Sequence, residues 1–126
     1  MKLSTLLIIY AVVSAFLGLG FVLLPGPMYD MYGVDMDFNL RYTSQLFGAA
    51  LIGFATISWM ARHSASSHAR EAIVTGFFVI ELLGFLLALI NQFNEEAVSM
   101  AWLNVVLYGL FTAGFGYFLF VKKVTE

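Results

Sequence analysis

One acid interrupts an otherwise uncharged apolar run: Glu81, between Ala72 and Asn94. An ionisable side chain at the centre of a membrane helix costs about 2.5–3.5 kcal/mol on insertion scales, so such a residue marks a functional hypothesis by default. Counted inward from Glu71 at about 1.5 Å per residue, Glu81 lies about 15 Å deep, close to the middle of a bilayer. Its neighbours on the same helix face are Val74, Phe77, Phe78, Gly84, Phe85 and Ala88, and the small Gly84 and Ala88 leave room for a second helix. No Lys or Arg lies within the apolar runs. Apolar surroundings disfavour the charged form, so Glu81 is expected to be protonated at neutral pH unless water reaches it. A neutral acid that only donates a hydrogen bond is a structural element. One that exchanges its proton or holds a cation is a site, and a third role is contact with another subunit.

The same depth count brings Tyr108, Tyr10 and Ser14 near the level of Glu81, as expected hydrogen-bond partners. Asn104, Tyr108 and Thr112 recur every four residues, a polar stripe that belongs against protein rather than lipid. The intramembrane candidates are therefore Glu81, Tyr108, Asn104, Ser14 and Tyr10. Arg41, Ser44, Gln45 and Gly48 form a second stripe descending from the outer surface, and together the stripes predict a polar interior open, or nearly open, to that side. The outer candidates are Arg41, Gln45, Asp30, Asp35 and Asp37. Arg41 among these aspartates suits a gate or ligand clamp; the simpler expectation is an interfacial salt bridge that holds the loop down.

Other chemistries find little support. With no Cys there is no thiolate nucleophile, disulfide or Cys-ligated metal. His63 and His68 stand five apart with Ser64, Ser66 and Ser67 between them, without the carboxylates or helical spacing of a metal site, and the serines lack a base and its orienting partner. A net charge of −2 with only six Lys and Arg leaves no basic surface for nucleic acid. No catalytic residue, metal ligand or cofactor is expected.

The elements that must hold these residues are four apolar spans. Hydrophobic residues make up 61% and charged residues 11% of the 126, well away from the balance of a water-soluble domain. Leu3–Tyr29, Tyr42–Met60 and Ala97–Val121 carry no acid or base, and Ala72–Asn94 carries Glu81 alone. Each reaches the roughly 20 residues that a helix needs to cross about 30 Å of hydrocarbon. The runs are apolar on both parities, unlike the alternating strands of a barrel. The expected fold is all-α, a single transmembrane domain over residues 1–126: an up-down four-helix bundle with spans near 4–24, 42–61, 71–92 and 98–121 and a structured outer loop near 25–40.

Met1-Lys2 and Val13-Ser14-Ala15 have the look of a signal peptide. The apolar stretch continues through Leu24, too long for a signal core, so this segment is expected to remain as a span. Pro25-Gly26-Pro27 ends it. Lys2, Arg62, Arg70, Lys122 and Lys123 gather on one side against Arg41 alone on the other, which predicts cytoplasmic N and C termini. Tyr29 and Tyr32 suit an interfacial loop, and Trp59 and Trp102 fall where interface belts lie. Pairs such as Ala49/Gly53 and Ser14/Gly18 predict tight helix packing, within the chain or between copies.

Tyr32-Gly33, Arg41, Gly48, Gly53, Trp59 and Ala61-Arg62 together resemble small bacterial four-span proteins of the DoxX-like type, over the first half of the chain. The resemblance implies a four-helix membrane bundle, and bacterial origin implies the cytoplasmic membrane. Three classes of function fit. The first is a non-enzymatic membrane subunit, a homo-oligomer or part of a larger membrane complex, with the lipid bilayer as its solvent. The second is a small oligomeric transporter or channel with Glu81, Asn104 and Tyr108 at its midplane. The third is a membrane-embedded lipid-binding protein or enzyme.

Overall fold

The computed structural model describes residues 1–122. It is helical, with no strand among the described residues, and holds four helices long and apolar enough to cross a membrane. In chain order these are α1 (Leu3–Leu23), a short α2 (Pro25–Asp30), α3 (Phe38–Ala61), α4 (His68–Gln92) and α5 (Trp102–Gly116). A 3-10 turn over Ser99–Ala101 leads into α5 and a π-helical turn over Tyr117–Val121 extends it, so the fourth span runs Ser99–Val121. Lys123, one of the five basic residues of the charge asymmetry, lies outside the described residues.

Local chemistry places the helix ends. Asp37 adopts an extended backbone and its carboxylate accepts from the Leu40 amide at 2.7 Å, so α3 starts four residues ahead of the expected span at 42. Ser67 caps α4 in the same way, accepting from the Arg70 amide at 3.2 Å, and moves that start from 71 to His68. Pro25 and Pro27 open α2, where a missing amide costs nothing. Beyond α2 the chain closes with Val34 N–H to Tyr29 O and Gly33 N–H to Asp30 O, both 3.1 Å, with Gly33 at φ +69°. This is the 6→1, 5→2 pair of a Schellman ending, and its left-handed position suits glycine.

By packing, the chain divides into a unit of residues 7–62 and a unit of residues 1–6 with those from 63 onward. In the first, α1 meets α3 through small residues. A Cβ on Gly18 would stand 2.8 Å from the Gly48 carbonyl oxygen, and one on Gly48 would stand 2.7 Å from that of Gly18. Beside this crossing the rings of Phe21 and Phe47 meet edge to face at 5.4 Å. The Ser58 hydroxyl, fully buried, donates to Leu7 O at 2.7 Å, a polar link between two apolar helices.

In the second unit α4 and α5 run antiparallel. Gly84 meets Tyr108, Phe77 meets Phe115 at 5.5 Å and Phe78 meets Phe120 at 5.5 Å, so falling numbers on α4 face rising numbers on α5. Glycine and a large ring alternate across this seam: Gly109 receives Phe85 and Gly116 receives Phe78, with contacts near 3.1–3.3 Å at the missing Cβ. Leu6, from the N-terminal residues, rests on Gly114.

The outward faces are apolar as well. Phe16, Met60, Leu87, Ile90, Leu110 and Phe120 each expose more than 60% of their surface. In water such faces would drive aggregation; against lipid they have no such cost.

Candidate functional site

The buried stripe of α4 is Val74, Phe77 and Glu81, spaced three and four residues apart along one face. Glu81 is 5% exposed and, among the described residues, is the one buried acid. It lies about 20 Å of helix rise from His68 and about 16 Å from Gln92, far from either end.

One turn further along α4, Gly84 seats the ring of Tyr108. A Cβ at Gly84 would overlap the ring's Cδ1 and Cε1 and come within 2.9 Å of Cζ. The absent side chain is therefore what lets Tyr108 of α5 lie against α4. Tyr108 is close enough to Glu81 for the two to interact electrostatically. Asn104, half-buried, stands one turn before Tyr108, in the first turn of α5. Thr112, one turn after it, gives its hydroxyl to Tyr108 O at 2.7 Å, so that donor is used within its own helix. Tyr10 and Ser14, four apart on α1, are both buried and belong to the unit of residues 7–62.

The outer candidates separate into individual roles. Asp37 is the helix cap of α3. Gln45 Nε2 donates to Val22 O at 3.3 Å, supplying a hydrogen bond to the last turn of α1, where the chain breaks at Pro25. Ser44 donates to Leu40 O at 2.6 Å, and Gly48 lies against Gly18. Asp30 and Asp35 are exposed. Arg41 is exposed too, and among the described residues it makes no ion pair with an aspartate, so the expected salt bridge gives way to capping and aromatic contacts. Those contacts are Phe38 stacked with Tyr42 at 6.5 Å and Tyr29 against Phe21 at 5.9 Å. Burial pushes the Tyr32 phenol above its ordinary value, and the nearby Tyr29 adds to the shift.

No family model matches the sequence, and no curated protein or solved structure matches it either.

Chemically, a part-buried phenol lies near a buried carboxyl at Tyr108 and Glu81. A hydroxyl can accept from a carboxylic acid or donate to a carboxylate, so Tyr108 suits either state of the acid. Among the described residues no three His, Asp or Glu side chains gather as a metal site would require. His68 instead meets Glu71 at 3.6 Å in the first turn of α4.

Two contributions were not read from the sequence. Ser58 links α3 to α1, and its signal is a stripe of small buried residues on α3: Ser44, Gly48, Ala55, Ser58 and Ala61. Arg62 lies 3.8 Å over the Trp59 ring and also donates to the Trp59 carbonyl, which fixes a cation and an indole together at the end of α3. An Arg three residues after a Trp at a span's end permits that stacking.

Proposed function

We propose that this protein is a self-associating membrane subunit, an up-down four-helix bundle whose outer α3 face packs against a second copy. The observation that carries the reading is how its glycines are divided. Gly18, Gly48, Gly84, Gly109, Gly114 and Gly116 each have a neighbour pressed into the space of the missing side chain. Of the glycines within the spans, Gly53 and Gly76 have none within 4 Å; Gly76 is flanked on its face by the bulky Ile73, Val79 and Ile80, whereas Ala49, Ala50 and Thr56 around Gly53 are small and exposed. Thr56 gives its hydroxyl to Ile52 O at 2.9 Å, which leaves the face apolar and shallow. Helices in lipid associate through such surfaces, because close backbone approach replaces the hydrophobic drive that lipid removes.

The finer topology belongs to the same proposal. Lys2, Arg62, Arg70 and Lys122 mark one end of the four spans, so both termini face the cytoplasm and the aspartates of residues 30–37 face outward. The DoxX-like resemblance of the first half of the chain implies a four-helix membrane bundle, and with it a bacterial cytoplasmic membrane.

The test is energy transfer between donor- and acceptor-labelled chains in liposomes as lipid is added. Transfer that falls reversibly on dilution supports association, and Gly53→Leu should abolish it while leaving the helical content and melting of the single chain unchanged. Wild-type chains that show no transfer above random proximity even at high protein density would overturn the reading.

A further inference from the structure

The membrane-buried acid lies on a different part of the chain from the α3 face and carries its own inference. Glu81 is the acidic residue of a buried stripe otherwise made of Val74 and Phe77. Tyr108, on α5 of the same unit, is a titratable side chain that interacts with it electrostatically. α5 and its π-helical end carry no acid or base before Lys122, and their tyrosines are Tyr108, seated on Gly84, and Tyr117, exposed and turned edge-on to Phe118. Along α4 the other ionisable residues are His68, Arg70 and Glu71, at least ten positions away in the first turn, and Lys2 at the N terminus is exposed.

A merely structural acid needs a single acceptor for its proton. A phenol provides more, since it accepts from the acid and donates to the carboxylate, so both states keep a partner when water is excluded. The glycine seat fixes that phenol one turn from the carboxyl instead of leaving it free on the helix surface. Asn104 in the first turn of α5 and Tyr108 one turn deeper form polar steps from the helix end toward Glu81. We propose that Glu81 is a proton-exchanging site inside the membrane, with Tyr108 on its Gly84 seat as the residue that positions it in both states. The exchange is simple: the carboxylate takes a proton from the aqueous side to become the acid, and returns it unchanged.

The test uses N,N′-dicyclohexylcarbodiimide on the full chain in liposomes. Only a protonated carboxyl reacts: its proton moves to a carbodiimide nitrogen, its oxygen adds to the central carbon, and acyl migration to nitrogen leaves a stable N-acylurea with nothing lost. Mass spectrometry should find one adduct on the peptide bearing Glu81, absent from Glu81→Gln, with a labelling rate that falls at least about tenfold from about pH 5 to about pH 9. Tyr108→Phe should move the midpoint by about one pH unit. The infrared band of the protonated carboxyl, missing in Glu81→Gln, should fade over the same range without any reagent. A labelling rate and a band that stay constant across the range would mean a permanently neutral structural acid and overturn the proposal. So would the absence of both adduct and band, and a midpoint unmoved by Tyr108→Phe would overturn the role of the phenol.

Discussion

The ring of Tyr108 occupies the space where Gly84 would carry a side chain. Elsewhere in a helix, replacing glycine by alanine gains up to about 1 kcal/mol of helix propensity. At Gly84 that gain meets a rigid ring at sub-contact distance, and overpacking of this kind typically costs about 1–3 kcal/mol. Gly84→Ala is therefore expected to lower the melting temperature of the detergent-solubilised protein, and Tyr108→Ala in the same chain should recover part of the loss. A Gly84→Ala protein that melts at or above the wild-type temperature would contradict the seat.

Gly18 and Gly48 present a harder contact, because each missing Cβ faces the other's backbone carbonyl oxygen. A side chain can rotate away; a carbonyl locked in a helix cannot. Gly18→Ala and Gly48→Ala are each expected to destabilise by more than Gly84→Ala, and the two together by less than their sum, since the first already forces α1 and α3 apart. Thermal melts of the two single variants and the double variant, set out as a cycle, measure this. Additive losses would show that the two glycines do not share one crossing.

The four spans were legible because charge marks their limits: apolar runs of 19 or more residues stop at Arg41, Arg62, Glu71 and Lys122. The starts were less so. Asp37 and Ser67 extend α3 and α4 by capping, and a cap lies outside the apolar run that defines a span. The fourth run reads as one uniform helix, whereas the chain changes from 3-10 to α to π along it. Nothing in Ser99–Val121 signals those changes by residue type. At the candidate site, depth counting put Glu81 and Tyr108 at one level, and they lie on packed helices of one unit. That Tyr108 would rest on Gly84 was not legible, because i±4 spacing gives the faces of each helix but not the register between two. The outer group was read from charge alone, and charge did not foresee that Asp37 would turn to an amide and Gln45 to the end of α1.

A chain without cysteine allows each loop to be addressed one residue at a time. Ser66→Cys, in the short loop before α4, should react with a membrane-impermeant maleimide only after the cells are opened. Asp35→Cys and Glu96→Cys should react on intact cells. These positions are exposed and lie outside the long helices, so the substitutions should leave the fold intact. Labelling of Ser66→Cys on intact cells, with protection at position 35, would invert the orientation that the basic residues imply.

The Tyr32 phenol gives the loop between α2 and α3 an alkaline limit. Its folded value lies above that of a free tyrosine because burial and the neighbouring Tyr29 both disfavour the phenolate. The folded state thus holds the proton more tightly than the unfolded state does. The corresponding stability is fully present below the unfolded value, at about pH 10, and is lost as pH rises through the higher folded value. Titration followed by tyrosinate absorbance should show Tyr32 among the late-ionising members of the six tyrosines, and Tyr32→Phe should remove one tyrosine's amplitude from that late phase. In the wild type, protease nicking between Tyr29 and Asp37 should accelerate over the same range and precede loss of helical signal. If Tyr32 ionised together with free tyrosine, or if the loop stayed protected while the helices melted, the phenol would not be what holds this segment in place.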